Sequence, residues 1–385
     1  MKKKILCFFG TRPEAIKMAP VVKKLREENC FDVEVALSAQ HRDMLDQVLE
    51  LFSIKVDYDL NIMKKGQSLF HVTSKVLEKM ETVLEKSKPD MVLVHGDTTT
   101  TMVGTMACFY KNIPVGHVEA GLRTNDLKRP FPEEMNRRVT DLLADLYFSP
   151  TPMSRRNLLV EKISDKKIFV TGNTVIDALL IVSKMNKPLR NLNAIRVMKK
   201  IGSSPFILVT AHRRENFGEP FKEAFSALKT LTEKFPHFHW VYPVHPNPNV
   251  SGMAQNILGG LSRFHLLEPL EYDDLVSMMK KSFFVLTDSG GLQEEAPSLG
   301  KPVLVLRNVT ERPEAVKAGT VKLVGTNRNK IIREVSKLIK NPVFYKKMSQ
   351  AVNPYGDGLA STRIISVLKT YFNLSNKKFG SFKGA

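Results

Sequence analysis

The sequence predicts an α/β protein of two domains, each a parallel sheet covered by helices. Three observations carry the prediction. Short apolar runs, with the length of strands buried on both faces, alternate with longer amphipathic segments along the chain. The chain has 385 residues, more than one hydrophobic core commonly organises. The alternation stops once, in a polar, helix-prone stretch over 184–204 that contains Pro188 and ends in Gly-Ser-Ser-Pro at 202–205, and then restarts.

At 43% hydrophobic and 25% charged residues, the composition is that of an ordinary globular protein with ample core. The formal net charge of +19 admits nucleic acid, anionic lipid or an acidic ligand as a partner. The basic residues are spread along the chain, and no nucleic-acid-binding motif occurs. The excess therefore reads as a solvated surface whose field attracts anionic substrates, with no nucleic acid expected. Cys7, Cys30 and Cys108 are few, odd in number and scattered, which points to a reduced, cytoplasmic compartment. Residues 1–9 begin like a signal peptide, three lysines before an apolar run, but the run breaks at Gly10-Thr11-Arg12-Pro13. No later segment reaches membrane-spanning length, so no membrane insertion is expected.

In the first half, 5–9 is the first strand, and Gly10-Thr11-Arg12-Pro13-Glu14 turns into a helix through about Glu27. Arg12 and Lys17 put two cations at this strand-to-helix turn, which suits an anion; solvated side chains are the alternative. A strand over 33–37 is followed by helices over 40–51 and 67–85. The strand 91–94 ends in His95-Gly96-Asp97, and the threonines after it open a helix whose Gly104 and Ala107 imply close packing. Asp97 stands where open parallel sheets place ligands; helix N-capping is its other reading. The strand 114–118 ends in Glu119. A carboxylate there, in an apolar stretch, is costly to bury alone, which favours a place in a site. A Pro-rich corner then opens a helix with Glu133 and Glu134, which either complement the helix dipole or serve as mobile catalytic carboxylates. Strands over 146–149 and 168–170, and Thr171-Gly172-Asn173-Thr174, complete the half.

The second half restarts with a strand over 206–210, then Ala211-His212-Arg213-Arg214-Glu215-Asn216 and a turn at Gly218 into a helix. A strand over 240–244 ends in His245-Pro246, and another over 264–267 precedes a helix over about 273–280. The densest signal lies at 283–314. An apolar strand over 283–286 stops at Asp288-Ser289-Gly290-Gly291, a helix runs from Leu292 to near Gly300, and a buried strand follows over 302–306. Free amides at such a helix start, with no side chain in the way at Gly290 and Gly291, make a phosphate site; Ser289 as a plain N-cap is the alternative. Glu295, about one turn into the helix, is placed to accept hydrogen bonds from a ribose diol. Arg312 follows, and helices run to the end. Two successive units with ligand signals at strand ends imply two Rossmann-like domains facing a cleft. The histidines show neither H-E-x-x-H nor paired-cysteine spacing, which argues against zinc, and no G-x-S-x-G or Walker sequence is present.

Six motifs stand in one order: Gly10-Thr11-Arg12-Pro13-Glu14-Ala15-Ile16-Lys17, His95-Gly96-Asp97-Thr98, Gly116-His117-Val118-Glu119-Ala120-Gly121, Pro132-Glu133-Glu134-Met135-Asn136-Arg137, Thr210-Ala211-His212-Arg213-Arg214-Glu215 and Asp288-Ser289-Gly290-Gly291-Leu292-Gln293-Glu294-Glu295. Together they closely resemble the non-hydrolysing UDP-N-acetylglucosamine (UDP-GlcNAc) 2-epimerases of bacteria, over nearly the whole chain. The resemblance implies the GT-B glycosyltransferase-like fold, with a domain at 1–183, a linker at 184–204 and a UDP-binding domain at 205–362. It also implies a helix at 363–375 packing back on the first domain; the tail 376–385, rich in Lys, Gly and Ser, is expected to be disordered. A homodimer is the family expectation. By resemblance Ser289, Gly290 and Gly291 hold the diphosphate, Glu295 the ribose, and Arg312 belongs with the UDP set. The segment from Leu270 to Leu275 resembles the uracil-proximal loop. Arg12, Lys17, Asp97, Glu119, Glu133, His212 and Arg213 match positions around the sugar and pyrophosphate.

The implied reaction interconverts UDP-GlcNAc and UDP-N-acetylmannosamine (UDP-ManNAc), which supplies surface polysaccharide synthesis. UDP leaves C1 and a proton leaves C2, giving 2-acetamidoglucal; UDP then re-adds and a proton returns on the opposite face. Cations must meet the departing diphosphate and carboxylates must serve C2. Arg12, Lys17, His212 and Arg213 meet the first need; Asp97, Glu119 and Glu133 meet the second. No cofactor is implied. A hydrolysing epimerase, a relative acting on a diacetamido-uronate nucleotide and a glycosyltransferase of the same fold are the alternatives, and Pro13-Glu14-Ala15-Ile16-Lys17 favours the non-hydrolysing branch. Some bacterial members bind a second, activating substrate molecule. Its elements match here at Gln40, His41 and His245, while Asp43 stands where a glutamine occurs and Gly66 where an arginine occurs.

Overall fold

A computed structural model describes residues 2–39, 42–64, 66–377 and 379–384, apart from the side chains of 42–44. The chain forms two compact units. One holds the residues up to Ala178 together with Tyr355–Gly384, the other Leu179–Pro354.

The first unit is built on β1 (Lys3–Phe9), β2 (Phe31–Leu37), β3 (Tyr58–Asp59), β4 (Met91–His95), β5 (Val115–Val118), β6 (Leu146–Ser149) and β7 (Ile168–Val170). Every pairing is parallel, in the order β3-β2-β1-β4-β5-β6-β7. The chain leaves β1 toward one edge and returns at β4 toward the other. The loops after these two strands therefore diverge and open a crevice at their carboxyl ends. Leu6, Phe8, Val92 and Val94 form one layer of core against Val103 and Ala107 of the helix Thr99–Tyr110. Gly104 is required for that approach: a Cβ there would lie 2.5 Å from the Phe8 ring.

The second unit repeats the plan with β8 (Phe206–Thr210), β9 (His239–Pro243), β10 (Phe264–Leu267), β11 (Val285–Thr287), β12 (Val303–Val305) and β13 (Val321–Leu323). Its parallel order is β10-β9-β8-β11-β12-β13, so the reversal falls between β8 and β11. Trp240 and Tyr242 lie in its core with Phe221 and Phe225, whose rings stack 5.3 Å apart. No helix among the described residues is long and apolar enough to cross a membrane.

Several boundaries differ from the sequence expectation. The first unit gives way to the second inside the helix Thr174–Met185, not at residue 184. The expected linker carries the helix Leu192–Ile201, capped by Asn191 and belonging to the second unit. That helix buries only Ala194 and Ile201 among its charged neighbours, so its pattern reads as polar. The second-unit fold stops at Pro354 rather than at 362. From Tyr355 the chain is in the first unit, where the helix Ala360–Tyr371 packs on the helix Arg12–Arg26. The tail is not free: Phe382 is buried, its amide donates to the Val170 carbonyl at 2.9 Å, and Arg363 lies over the rings of Phe379 and Phe382. Two phenylalanines outweigh the Lys, Gly and Ser that surround them. β3 and β13, of 2 and 3 residues, are too short to register a period. The strand expected over 283–286 falls at β11, although the Phe283 amide already donates to the Phe206 carbonyl at 2.7 Å, and the Phe283 ring stacks on Tyr345 with centroids 4.5 Å apart.

Candidate active site

In the first unit the predicted residues collect at the carboxyl ends of β1, β4 and β5. Glu119 follows β5 with a backbone φ of +71°, a left-handed conformation that costs a side-chain-bearing residue about 1–2 kcal/mol. The turn aims the carboxylate back over the sheet. Lys17 Nζ, on the helix after β1, donates to Glu119 Oε2 at 2.5 Å, and Asn173 Nδ2, after β7, donates to the same oxygen at 2.8 Å. Glu119 Oε1 faces the turn after β4, 3.7 Å from where a Cβ on Gly96 would stand. His95 is buried beside it, Nε2 lying 3.9 Å from Glu119 Oε2. Burial pushes the His95 ring down to about 3, so it packs as a neutral group.

Asp97, in the turn after β4, does not cap the following helix; Thr98 does, accepting from the Thr101 amide at 3.1 Å. Arg137 donates to the Asp97 carboxylate, and Asn136 Nδ2 donates to the Asp97 carbonyl at 2.9 Å. Both lie on the helix Glu133–Leu143, whose first residue is Glu133. Glu133 Oε2 is buried with no hydrogen-bond partner. Its neighbour Glu134 is turned wholly inward, accepting from the amides of Thr124 and Asn125 at 3.0 and 3.1 Å and from Arg138. One helix thus carries a structural carboxylate and a carboxylate with an unused oxygen side by side.

Beneath these groups the His117 ring lies between the Gly96 carbonyl, at 2.7 Å, and Asp141 Oδ1, at 2.6 Å. Burial pushes the Asp141 carboxyl up, but His117 and Arg123 outweigh it and hold the group below its ordinary range. Glu14 ties the turn after β1 to the turn after β4. Its Oε2 accepts from the amides of Gly10 and Thr11, at 3.0 and 2.7 Å, and its Oε1 from the hydroxyls of Thr98 and Thr101, at 2.7 and 3.0 Å. Arg12 is the first residue of the helix after β1.

In the second unit the helix Gly290–Ser298 begins at the first glycine, two residues earlier than expected. Ser289 makes no side-chain cap, and Glu295 Oε2 lies 4.0 Å from where a Cβ on Gly291 would stand. The Arg213 guanidinium reaches to 3.5 Å from the corresponding point on Gly290. Cation, glycine turn and carboxylate therefore adjoin, the arrangement a nucleoside diphosphate needs. Asp288, fully buried, accepts from the amides of His212 and Arg213 at 2.9 and 2.8 Å and so fixes the turn after β8. Burial lowers the pKa of the His212 ring, although Asp288 opposes it. Arg312 is occupied by an ion pair with buried Glu294. Leu270 is buried and Leu275 half-buried at the start of the helix Tyr272–Lys281.

Among the residues matched to the second substrate site, His245 is exposed and stacks on His212 with ring centroids 5.8 Å apart. Gly66 sits in a turn at φ +70°. Gln40 and His41 lie outside the described residues, as does the Asp43 side chain. Sequence reasoning passed over Glu14, Asn136, Arg137, Asn173, Tyr272 and Asp288. Asn136 and Arg137 follow Glu133 at helical spacing, a signal that was present. Asn173 and Tyr272 make contacts far along the chain and gave none.

Two parallel sheets, each reversing direction at a crevice that carries charged ligand-type groups, define the GT-B-like class of α/β enzymes. The family model described as UDP-N-acetylglucosamine 2-epimerase matches residues 23–369. The chain belongs to the UDP-N-acetylglucosamine 2-epimerase family, a family of isomerases. It is 52% identical to the UDP-N-acetylglucosamine 2-epimerase of Bacillus subtilis over 385 residues, 100% of each chain. It is 54% identical to that of Escherichia coli over 369 residues, 95% of this chain and 98% of that one. The crystal structure of UDP-GlcNAc 2-epimerase from Neisseria meningitidis bound to UDP-GlcNAc superposes with a TM-score of 0.86, at 52% identity, over 95% of this chain and 100% of that one. The Methanocaldococcus jannaschii enzyme in complex with UDP-GlcNAc and UDP gives a TM-score of 0.79 at 34% identity, over 96% of this chain and 99% of that one.

Proposed function

We propose that this protein reversibly epimerises C2 of UDP-GlcNAc, by the non-hydrolysing route through 2-acetamidoglucal. The observation that carries the reading is the Glu119 carboxylate, held by Lys17 and Asn173 beside the turn of Asp97. The sugar C2–H is unactivated, so its proton leaves only as the C1–O bond to UDP breaks. The electron pair of the C–H bond becomes the C1–C2 double bond, and the diphosphate carries away the C1–O pair. Asp97, Glu119 and Glu133 serve as the acid–base groups on the two faces of C2. Arg12, Lys17, His212 and Arg213 stabilise the departing charge. Ser289, Gly290 and Gly291 hold the diphosphate, Glu295 accepts from the ribose, and Arg312 braces that site through Glu294. Leu270 and Leu275 flank the uracil.

The test is turnover of purified enzyme with UDP-GlcNAc in heavy water, followed by NMR. Deuterium should enter C2 of both epimers, and 2-acetamidoglucal with UDP should accumulate slowly. Asp97→Asn and Glu119→Gln should each lower turnover by about 10² or more. Retention of the C2 hydrogen would sink the elimination route, and abundant free N-acetylmannosamine would mean hydrolysis.

A further inference from the structure

Beside the diphosphate turn, the helix Tyr272–Lys281 is pinned through its first turn on two sides. The Asp274 carboxylate accepts from the amides of Arg190 and Asn191 at 3.0 and 2.8 Å. Tyr272, the first helical residue and buried, donates its hydroxyl to Glu295 Oε1 at 2.7 Å. Glu295 is buried as well, so this contact, and not solvent, helps to set its direction. With Oε1 committed, Oε2 is the oxygen turned to the Gly291 end of the site. A carboxylate free to rotate would offer either oxygen at any angle and lose conformational entropy on binding; one fixed by a phenol does not.

From this we infer that Tyr272 is a positioning residue for nucleotide recognition: it orients Glu295 so that one oxygen meets the ribose hydroxyls. The inference rests on the reading of Glu295 as the ribose acceptor. It makes Tyr272 part of the discrimination between a nucleotide with a ribose diol and one without.

Calorimetric titration with UDP and with 2′,3′-dideoxyuridine diphosphate separates the two claims. Tyr272→Phe removes only the hydroxyl and keeps the buried ring. It should weaken UDP about tenfold and the dideoxy analogue less than about twofold, so the ratio of the two affinities shrinks. Any loss of competent protein cancels in that ratio. Equal weakening of both ligands, or no change in the ratio while Glu295→Gln abolishes the preference, would overturn the positioning role alone. If Glu295→Gln also left the ratio unchanged, the ribose assignment would fail and the inference with it.

Discussion

His95 shows how much one buried side chain contributes to the pH response of the molecule. Both ring nitrogens are buried without a hydrogen-bond partner, and burial holds the ring neutral, with its pKa pushed down from 6.5 to about 3. In the unfolded chain the ring takes its proton first. Stability contributed by the neutral ring is therefore complete above about pH 6.5 and falls as the pH drops from there toward 3, by about 1.4 kcal/mol per unit. At about pH 5 the loss amounts to about 2 kcal/mol. His95→Leu should remove that part of the slope, so urea unfolding at about pH 7 and 5 should differ less in the variant than in the wild type. Identical pH differences in the two proteins would show that the ring is protonated in the fold. The same scale separates Glu133 from Glu134, adjacent in sequence. One satisfies the loop amides of Thr124 and Asn125, and the other keeps a buried oxygen without a hydrogen-bond partner.

Each unit staples its switch point with a buried carboxylate, and this is the element that gives the turns their shape. Glu14 joins the turns after β1 and β4, and Asp288, at the end of β11, holds the turn after β8. Both do so across the crevice where adjacent strands send their loops apart. Burial pushes the Glu14 carboxyl up even though four donors face it, so the staple is a costly one to build. Glu14→Ala strands the amides of Gly10 and Thr11, while the Thr98 and Thr101 hydroxyls keep other partners, and should lower stability by about 2 kcal/mol or more in denaturant unfolding. In Glu14→Gln the amide oxygen can accept from Gly10 and Thr11 while its NH2 donates to the threonines, so most stability should return. A glutamine variant as unstable as the alanine one would show that charge, not the bond pattern, holds the turns.

At the scale of the whole molecule, the prediction concerns activation by a second substrate molecule. Gly66 occupies a left-handed turn at φ +70°, where an arginine would be strained, and among the described residues nothing lies within 4 Å of where its Cβ would stand. Gly66 thus supplies no bidentate phosphate donor, and Asp43 puts an acidic residue in the segment matched to the second site. Each change should cost about 1–2 kcal/mol in affinity for a second nucleotide, or about 5- to 30-fold. The enzyme should consequently epimerise pure UDP-ManNAc without a strong need for added UDP-GlcNAc. Initial rates with and without traces of UDP-GlcNAc check this; a long lag abolished by those traces would show the second site works.

Much of this was written in the sequence itself. The apolar runs that become β1, β4, β8 and β12, the Gly290-Gly291 helix start and the carboxylate after β5 are local patterns. They depend on burial periodicity and on backbone freedom within a few residues. The partnerships that aim the side chains were decided only by the tertiary structure. Asn173 reaches Glu119 across 54 positions, Tyr272 reaches Glu295 across 23, and the segment from Tyr355 returns to the first unit where Asp177 accepts from the Ala360 and Ser361 amides. Such contacts leave no period in the chain. They exist because packing brings distant donors to buried carboxylates that would otherwise be stranded.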